Sequence, residues 1–173
     1  YSNSFDSSMK LPKNIIYKNI NEGQIEVIRY QDQKDGNKLF ELKRNSIKSV
    51  NKNALKNIDD NFILVSNFGL NLLSQLDFKF LDDNKHRLIY MAQSNSSNHG
   101  LNRLDKIKGA YAYIGDLREI GLLLNKKENE IISLDNENLS KEIHKILDFK
   151  HFILTKGSKG LVYFYYNNKE MKV

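Results

Sequence analysis

Two glycines three residues apart, with lysines beside them, form the pattern in this sequence best suited to holding a phosphate. Gly157 and Gly160 lie in ILTKGSKGLVYFYY, where an apolar run ends at Thr155 and an aromatic run follows. Glycine allows positive φ, and successive backbone N–H groups in such a turn can form an anion-binding nest. The Thr155 hydroxyl and the Lys156 ammonium would assist. Taken alone, the stretch fits a plain glycine hairpin turn better.

A second candidate site is the pair of carboxylates in YIGDLRE. Asp116 and Glu119 are three residues apart at the expected start of a helix, so they occupy neighbouring positions of its first turn. Two carboxylates placed this way could hold Mg²⁺, partly through water. The structural alternative is an N-cap at Asp116 with Glu119 completing a capping box, and for this pair taken alone the cap is favoured.

The elements that must position these residues alternate between apolar strands and amphipathic helices. A hairpin with an Asp35-Gly36 turn comes first, and Ser49 is placed to cap the first helix. In parallel α/β sheets ligands bind outside the carboxyl ends of strands, where Ser66 and Asn67 form a third polar group. The sequence predicts strands at 25–30, 38–43, 62–67, 87–91, 110–114, 151–155 and 161–166, and helices at 49–58, 71–80, 101–107, 116–124 and 138–149.

This alternation predicts an α/β fold in which a parallel sheet is covered on both faces by helices joined through right-handed crossovers. Asn138 is the expected cap of the last helix, and His144 on that helix is expected to be solvated. The four histidines show no metal-ligand spacing. The aromatic residues 163–166 are assigned to the core and sheet edge rather than to a base-stacking platform.

The composition excludes several classes of protein. The 173 residues contain no cysteine, which rules out disulfides and thiolate metal sites. No apolar run approaches the roughly 20 residues that cross a bilayer, and no signal peptide is visible. Lys and Arg outnumber Asp and Glu by 27 to 21, giving a net charge of +6. Because these lysines are scattered among acids and asparagines, a nucleic-acid module is disfavoured.

The order of four segments carries a resemblance to a known family. IEVIRYQDQKDGNKLFELKRN is followed by SVNKNALKNIDDNFILVSNF, then GDLREIGLLL and FILTKGSKGLVYF. Residues 24–173 resemble the central part of PfkB-family (ribokinase-like) carbohydrate and nucleoside kinases, with pseudouridine kinase-like members the most similar. Residues 1–23 are expected to form an irregular N-terminal segment.

The resemblance implies an incomplete three-layer ribokinase-like fold with a β-hairpin lid, which could also support a homodimer. It implies ATP and Mg²⁺ as cofactors, a sugar or nucleoside substrate, and a cytoplasmic protein. Thr155, Gly157 and Gly160 match the family's T-x-G-x-x-G turn, so nucleotide phosphates are expected at residues 155–160, including Lys156. Asp116 and Glu119 correspond to the metal-positioning N-x-x-E motif, with Asp in place of Asn.

The implied reaction is transfer of the ATP γ-phosphate to a hydroxyl group. The family's G-A-G-D motif, which supplies the catalytic base, and its glycine-rich N-terminal segment do not occur in residues 1–173. No catalytic residue is therefore assigned, and this chain by itself is expected to be inactive as a kinase. The alternative is a non-catalytic ribokinase-like domain that serves ligand binding or assembly.

Overall fold

The structure is a computed structural model that describes residues 25–34, 38–45, 62–68, 73, 75–94, 102–167 and 170–173. The chain divides into two compact units, residues 1–54 and residues 55–173. The predicted irregular segment 1–23 and the predicted helix 49–58 lie outside the described residues.

The described part of the first unit is an antiparallel hairpin of β1 (Ile25–Gln31) and β2 (Lys38–Asn45). Ile25 lies opposite Asn45, and the register is irregular between Tyr30 and Gln31. The two predicted strands are confirmed. The Asp35-Gly36 turn lies outside the described residues, and the role of the hairpin as a lid stays a prediction.

The second unit is an α/β sheet. Its six strands lie side by side in the order in which they occur in the chain. The strands β3 to β6 are parallel, β7 is antiparallel to β6, and β8 is antiparallel to β7. The elements are β3 (Ile63–Asn67), α1 (Gln75–Asp83), β4 (Leu88–Ala92), β5 (Ala112–Asp116), α2 (Leu117–Leu124), α3 (Glu128–Ile132), α4 (Asn136–Leu147), β6 (His151–Thr155), β7 (Leu161–Asn167) and β8 (Glu170–Lys172).

The described helices share one hydrophobic core with one face of the sheet. Alternate strand residues such as Tyr90, Tyr113 and Phe152 are fully buried, and every described α-helix contributes a side chain to the same cluster. The strand order explains this arrangement. Right-handed crossovers between strands that always step in the same direction place all the crossover helices on the same side.

The other face of the sheet is more exposed. Leu64 is 66% exposed, Leu161 63% and Tyr163 45%. A second layer of helices would require the strand order to reverse direction, as it does in doubly wound folds, and β3 to β8 contain no such reversal. The second layer is absent from the described residues and stays a prediction.

Three local predictions are wrong. The segment predicted as helix 101–107 contains only a 3₁₀ turn, Leu104–Lys106, because the side chain of Asn102 bonds to main-chain carbonyls of other segments. Asp135, rather than Asn138, caps α4 and accepts a hydrogen bond from the Asn138 N–H at 2.8 Å. His144 is only 18% exposed because its ring packs 3.9 Å from the Tyr166 ring.

Candidate functional site at the carboxyl edge of the sheet

The two candidate motifs meet at one edge of the sheet. In the parallel pairing of β5 with β6, Asp116 lies directly beside Thr155. The Thr155 hydroxyl donates a hydrogen bond to the Gly115 carbonyl at 3.4 Å, which ties the two strand ends together. The segments YIGDLRE and TKGSKG are thus neighbours in space, although Gly115 and Thr155 are 40 positions apart in sequence.

The loop after β6 has the backbone geometry expected of an anion nest. It is a 3₁₀ turn, Gly157–Lys159, in which Gly157 has φ +59° and Gly160 φ +84°. The Lys156 N–H donates to the Gly160 carbonyl at 2.8 Å and closes the loop. Among the described residues, the N–H groups of Gly157 and Ser158 have no acceptor. The loop therefore presents two adjacent backbone donors on exposed residues.

Asp116 and Glu119 form a complete capping box, as the structural interpretation of their spacing predicts. The Glu119 N–H donates to Asp116 Oδ1 at 2.8 Å, and the Asp116 N–H donates to Glu119 Oε2 at 2.8 Å. Glu119 Oε1 accepts a third bond from the Ser94 N–H at 3.0 Å. Glu119 is only 7% exposed, so this carboxylate joins the start of α2 to the residues that follow β4.

The environment of Glu119 raises the pKa of its carboxyl group. Burial is the main cause, the neighbouring Asp116 charge acts in the same direction, and the N–H groups of Asp116 and Ser94 act against it. Because the folded-state pKa exceeds the unfolded one, the folded state binds more protons in the interval between them. The free energy of unfolding therefore decreases as pH rises through that interval and is constant above it.

The capping box limits how these carboxylates could bind a metal ion. Both oxygens of Glu119 already accept backbone hydrogen bonds, whereas Asp116 uses only Oδ1 in the box. Within the described ranges, no three His, Asp or Glu side chains group closely enough to hold a metal ion. Any Mg²⁺ here would have to take most of its ligands from a phosphate and from water.

A buried polar network beside the capping box was not predicted. The Asn102 amide donates to the carbonyls of Asn67 and Gln93, and the Ser94 hydroxyl donates to the Asn102 carbonyl at 2.8 Å. Asn102 is 1% exposed, and its Oδ1 has no hydrogen-bond partner among the described residues. The end of β3 at Asn67 was singled out from the sequence, but no local pattern marks Ser94 or Asn102.

Replacing Glu119 with Gln should lower the free energy of unfolding by about 1–3 kcal/mol at pH 7, because one buried N–H would then face an amide NH₂ instead of an oxygen. Urea denaturation measures this. Lowering the pH into the interval between the folded and unfolded pKa of Glu119 should stabilise the wild type relative to the variant, since only the wild type has a carboxyl group to protonate at this position.

The matched control for this substitution is Glu130→Gln. Glu130 Oε2 accepts the Lys127 N–H in the capping box of α3, but the side chain is exposed. Water can replace its hydrogen bond, so the loss should be a few tenths of a kcal/mol. Equal losses for the two variants would contradict a bridging role for Glu119.

Comparisons with known proteins add no family assignment. A scan against protein-family models found no matching family, and a search of curated proteins found no match. None of the described helices is long and apolar enough to cross a membrane. The functional interpretation therefore depends on the geometry of the carboxyl edge and on the sequence resemblance.

Proposed function

We propose that the carboxyl edge of β5 and β6 binds the phosphates of a Mg²⁺-bound nucleotide. In this proposal the chain is the central segment of a PfkB-like kinase that transfers the γ-phosphate of ATP to a sugar or nucleoside hydroxyl. The observation that supports it best is the adjacency of Asp116 and Thr155, because it places the carboxylate pair beside the loop with open backbone donors.

The chemistry of the loop suits a phosphate. The N–H groups of Gly157 and Ser158 would donate to phosphate oxygens, and charge-assisted hydrogen bonds of this kind are roughly twice as strong as neutral ones. Lys156 and Lys159 flank these donors and add attraction that salt would screen. Phosphoryl transfer depends mainly on positioning and electrostatics, and the loop would supply both for the nucleotide.

Asp116 gives the site a requirement for a divalent cation. Asp116 pairs with Thr155 across β5 and β6, and phosphate oxygens bound at Thr155 would be repelled by its negative charge. A Mg²⁺ ion between them would convert this repulsion into attraction, with water completing its octahedral shell. The capping bond from Glu119 N–H fixes the orientation of the Asp116 side chain in advance.

Two observations favour a second function. In it, a ribokinase-like domain binds a ligand without transferring a phosphate. The metal-positioning motif has Asp116 where the family has Asn, and both oxygens of Glu119 are occupied by backbone N–H groups. Nucleotide binding is common to both functions. Phosphate transfer would distinguish them in a protein that also contains the acceptor site.

Replacing Asp116 with Asn should strengthen ADP binding in the absence of Mg²⁺ on the order of tenfold, because the substitution removes one negative charge beside the phosphates. An Asn side chain also caps a helix well, so the fold should be unaffected. In the wild type Mg²⁺ should increase ADP affinity strongly, and in the variant much less. Isothermal titration calorimetry with ADP, with and without Mg²⁺, measures both effects.

The matched control is Asp135→Asn, which makes the same charge change at the N-cap of α4. This variant should bind ADP like the wild type under both conditions. If ADP binds none of the three proteins, or binds wild type equally well with and without Mg²⁺, the proposed phosphate site is wrong.

A further inference from the structure

Four aromatic rings gather at the amino ends of β5 and β6, at the opposite edge of the sheet from Thr155. His151 lies at the centre of this aromatic cluster. Its ring is 4.5 Å from that of Tyr111, 5.0 Å from that of Tyr165 and 6.0 Å from that of Tyr163, the last at an interplanar angle of 12°. Tyr163 remains 45% exposed, so the cluster is open to solvent at this residue.

Cations border the aromatic cluster. The Lys150 ammonium lies 5.4 Å from the centre of the Tyr111 ring, and Lys172 is exposed beside it. The cluster opens into a cavity of about 410 Å³, within the usual size range of small-ligand sites. Among the described residues that line the cavity, no side chain is acidic. A ligand that fills it would meet aromatic surface and positive charge together.

The central imidazole is suited to stacking rather than to ion pairing. Its Nδ1 lies 2.6 Å from the Tyr163 hydroxyl, and its Nε2 is buried without a partner among the described residues. Burial and the nearby Lys150 charge lower the pKa of His151, which favours the neutral ring. A neutral ring stacks without adding a third positive charge to the site.

We propose that the aromatic cluster is a binding site for one nucleotide, that is, a planar heteroaromatic ring joined to a phosphate. The ring would stack on Tyr163 and the phosphate would face Lys150 or Lys172. Base–aromatic stacking tolerates any base because every base has a π-face. This site is separate from the proposed phosphate loop and does not depend on it.

The neighbouring surface limits the ligand to a single nucleotide. The next side chains on the same face of the parallel strands are uncharged, including Ile153 and Ile114. A single strand of nucleic acid needs a basic groove that follows its backbone, and the described residues of this face supply only the two lysines. A free mononucleotide therefore fits better than an oligonucleotide.

The direct test is a titration followed by NMR, with adenosine monophosphate, adenosine and ribose 5-phosphate as the three probes and no Mg²⁺ present. The monophosphate should bind at least about tenfold more tightly than either of the other two, and it should shift the ring signals of His151. The amide signals of Gly157 and Ser158 detect binding at the proposed phosphate loop separately. Each of the two proposed sites can therefore be disproved independently of the other.

Substitutions in the cluster distinguish the contribution of ring stacking to nucleotide affinity from the contribution of charge. Tyr163→Leu should weaken binding about 5- to 150-fold, the range expected for one lost stacking partner, whereas Tyr163→Phe should retain affinity. Lys150→Gln should weaken binding and reduce its salt dependence. The matched controls are Tyr30→Leu, a tyrosine of similar exposure in the hairpin, and Lys145→Gln on α4.

Three results would overturn the proposal. The first is ribose 5-phosphate binding as tightly as the monophosphate. The second is a titration in which the monophosphate fails to shift the ring signals of His151. The third is a gain in affinity with the length of a single-stranded oligonucleotide, which would make this face a nucleic-acid surface.

Discussion

Phe152→Ala is expected to lower the free energy of unfolding by about 3–5 kcal/mol, a large part of the total stability of a domain. The ring is fully buried at the centre of β6. It lies 5.4 Å from the Phe149 ring, 6.2 Å from the Phe164 ring and 6.4 Å from the Tyr113 ring. Alanine would leave a cavity between aromatic side chains of two other strands, which cannot close over it without backbone movement. Urea denaturation followed by circular dichroism measures the loss.

The adjacent residue supplies the control. Ile153 points to the other face of the sheet and is partly exposed, so Ile153→Ala should lower the free energy of unfolding by only about 1 kcal/mol. Equal losses for the two variants would show that the second face is also covered in solution, and the single core described for the second unit would then be incomplete. The comparison uses the fact that successive strand residues face opposite sides.

Five of the six strands of the second unit were predictable because each is a short apolar run bounded by polar residues, whereas β8 was not predicted. FILVSN, RLIYM and HFILT mark β3, β4 and β6 to within one residue. The order of these strands was not predictable, since no residue of a strand specifies which edge its successor joins. That order decides whether helices cover one face or two, and so the predicted layers were only partly found.

The elements that the sequence did not predict depend on contacts distant in the chain. The helix α3 has only five residues, too short for a periodic pattern to be recognised. His144 lies on a helix with charged neighbours, yet it packs against Tyr166 of β7, 22 positions away. Hydrophobic periodicity identifies the apolar side of a helix. It does not predict that an aromatic ring from another element will pack against the polar side.

The candidate site was also predictable only in part. The capping box and the glycine turn were predictable because each depends on residues within six positions of one another. The meeting of Asp116 with Thr155 depends on the register of β5 with β6, and the bond from Ser94 N–H to Glu119 depends on where the chain runs after β4. Sequence patterns identified the parts of this edge, and the sheet determines how they are placed.

Gly157→Val is expected to weaken binding of Mg²⁺-ADP by more than about tenfold. Gly157 has φ +59°, and a Cβ atom there would meet nothing within 4 Å, so the substitution acts through the backbone and not through a clash. A β-branched residue at positive φ is strained by about 1–3 kcal/mol. The loop would relax away from this conformation and turn the N–H groups of Gly157 and Ser158 away from the phosphates. Calorimetry with ADP and Mg²⁺ measures the effect.

Two further variants show whether this effect is local. Gly109 has φ +73° in the segment before β5, and its Cβ would make only ordinary contacts, so Gly109→Val introduces similar strain at the other end of that strand. It should bind ADP like the wild type. Thr155→Val should weaken ADP binding by no more than about 1 kcal/mol, because the Thr155 hydroxyl already donates to the Gly115 carbonyl and the backbone donors stay in place. If Gly157→Val and Gly109→Val bind ADP equally well, the glycine loop is only a turn between β6 and β7, and the proposed phosphate site is wrong.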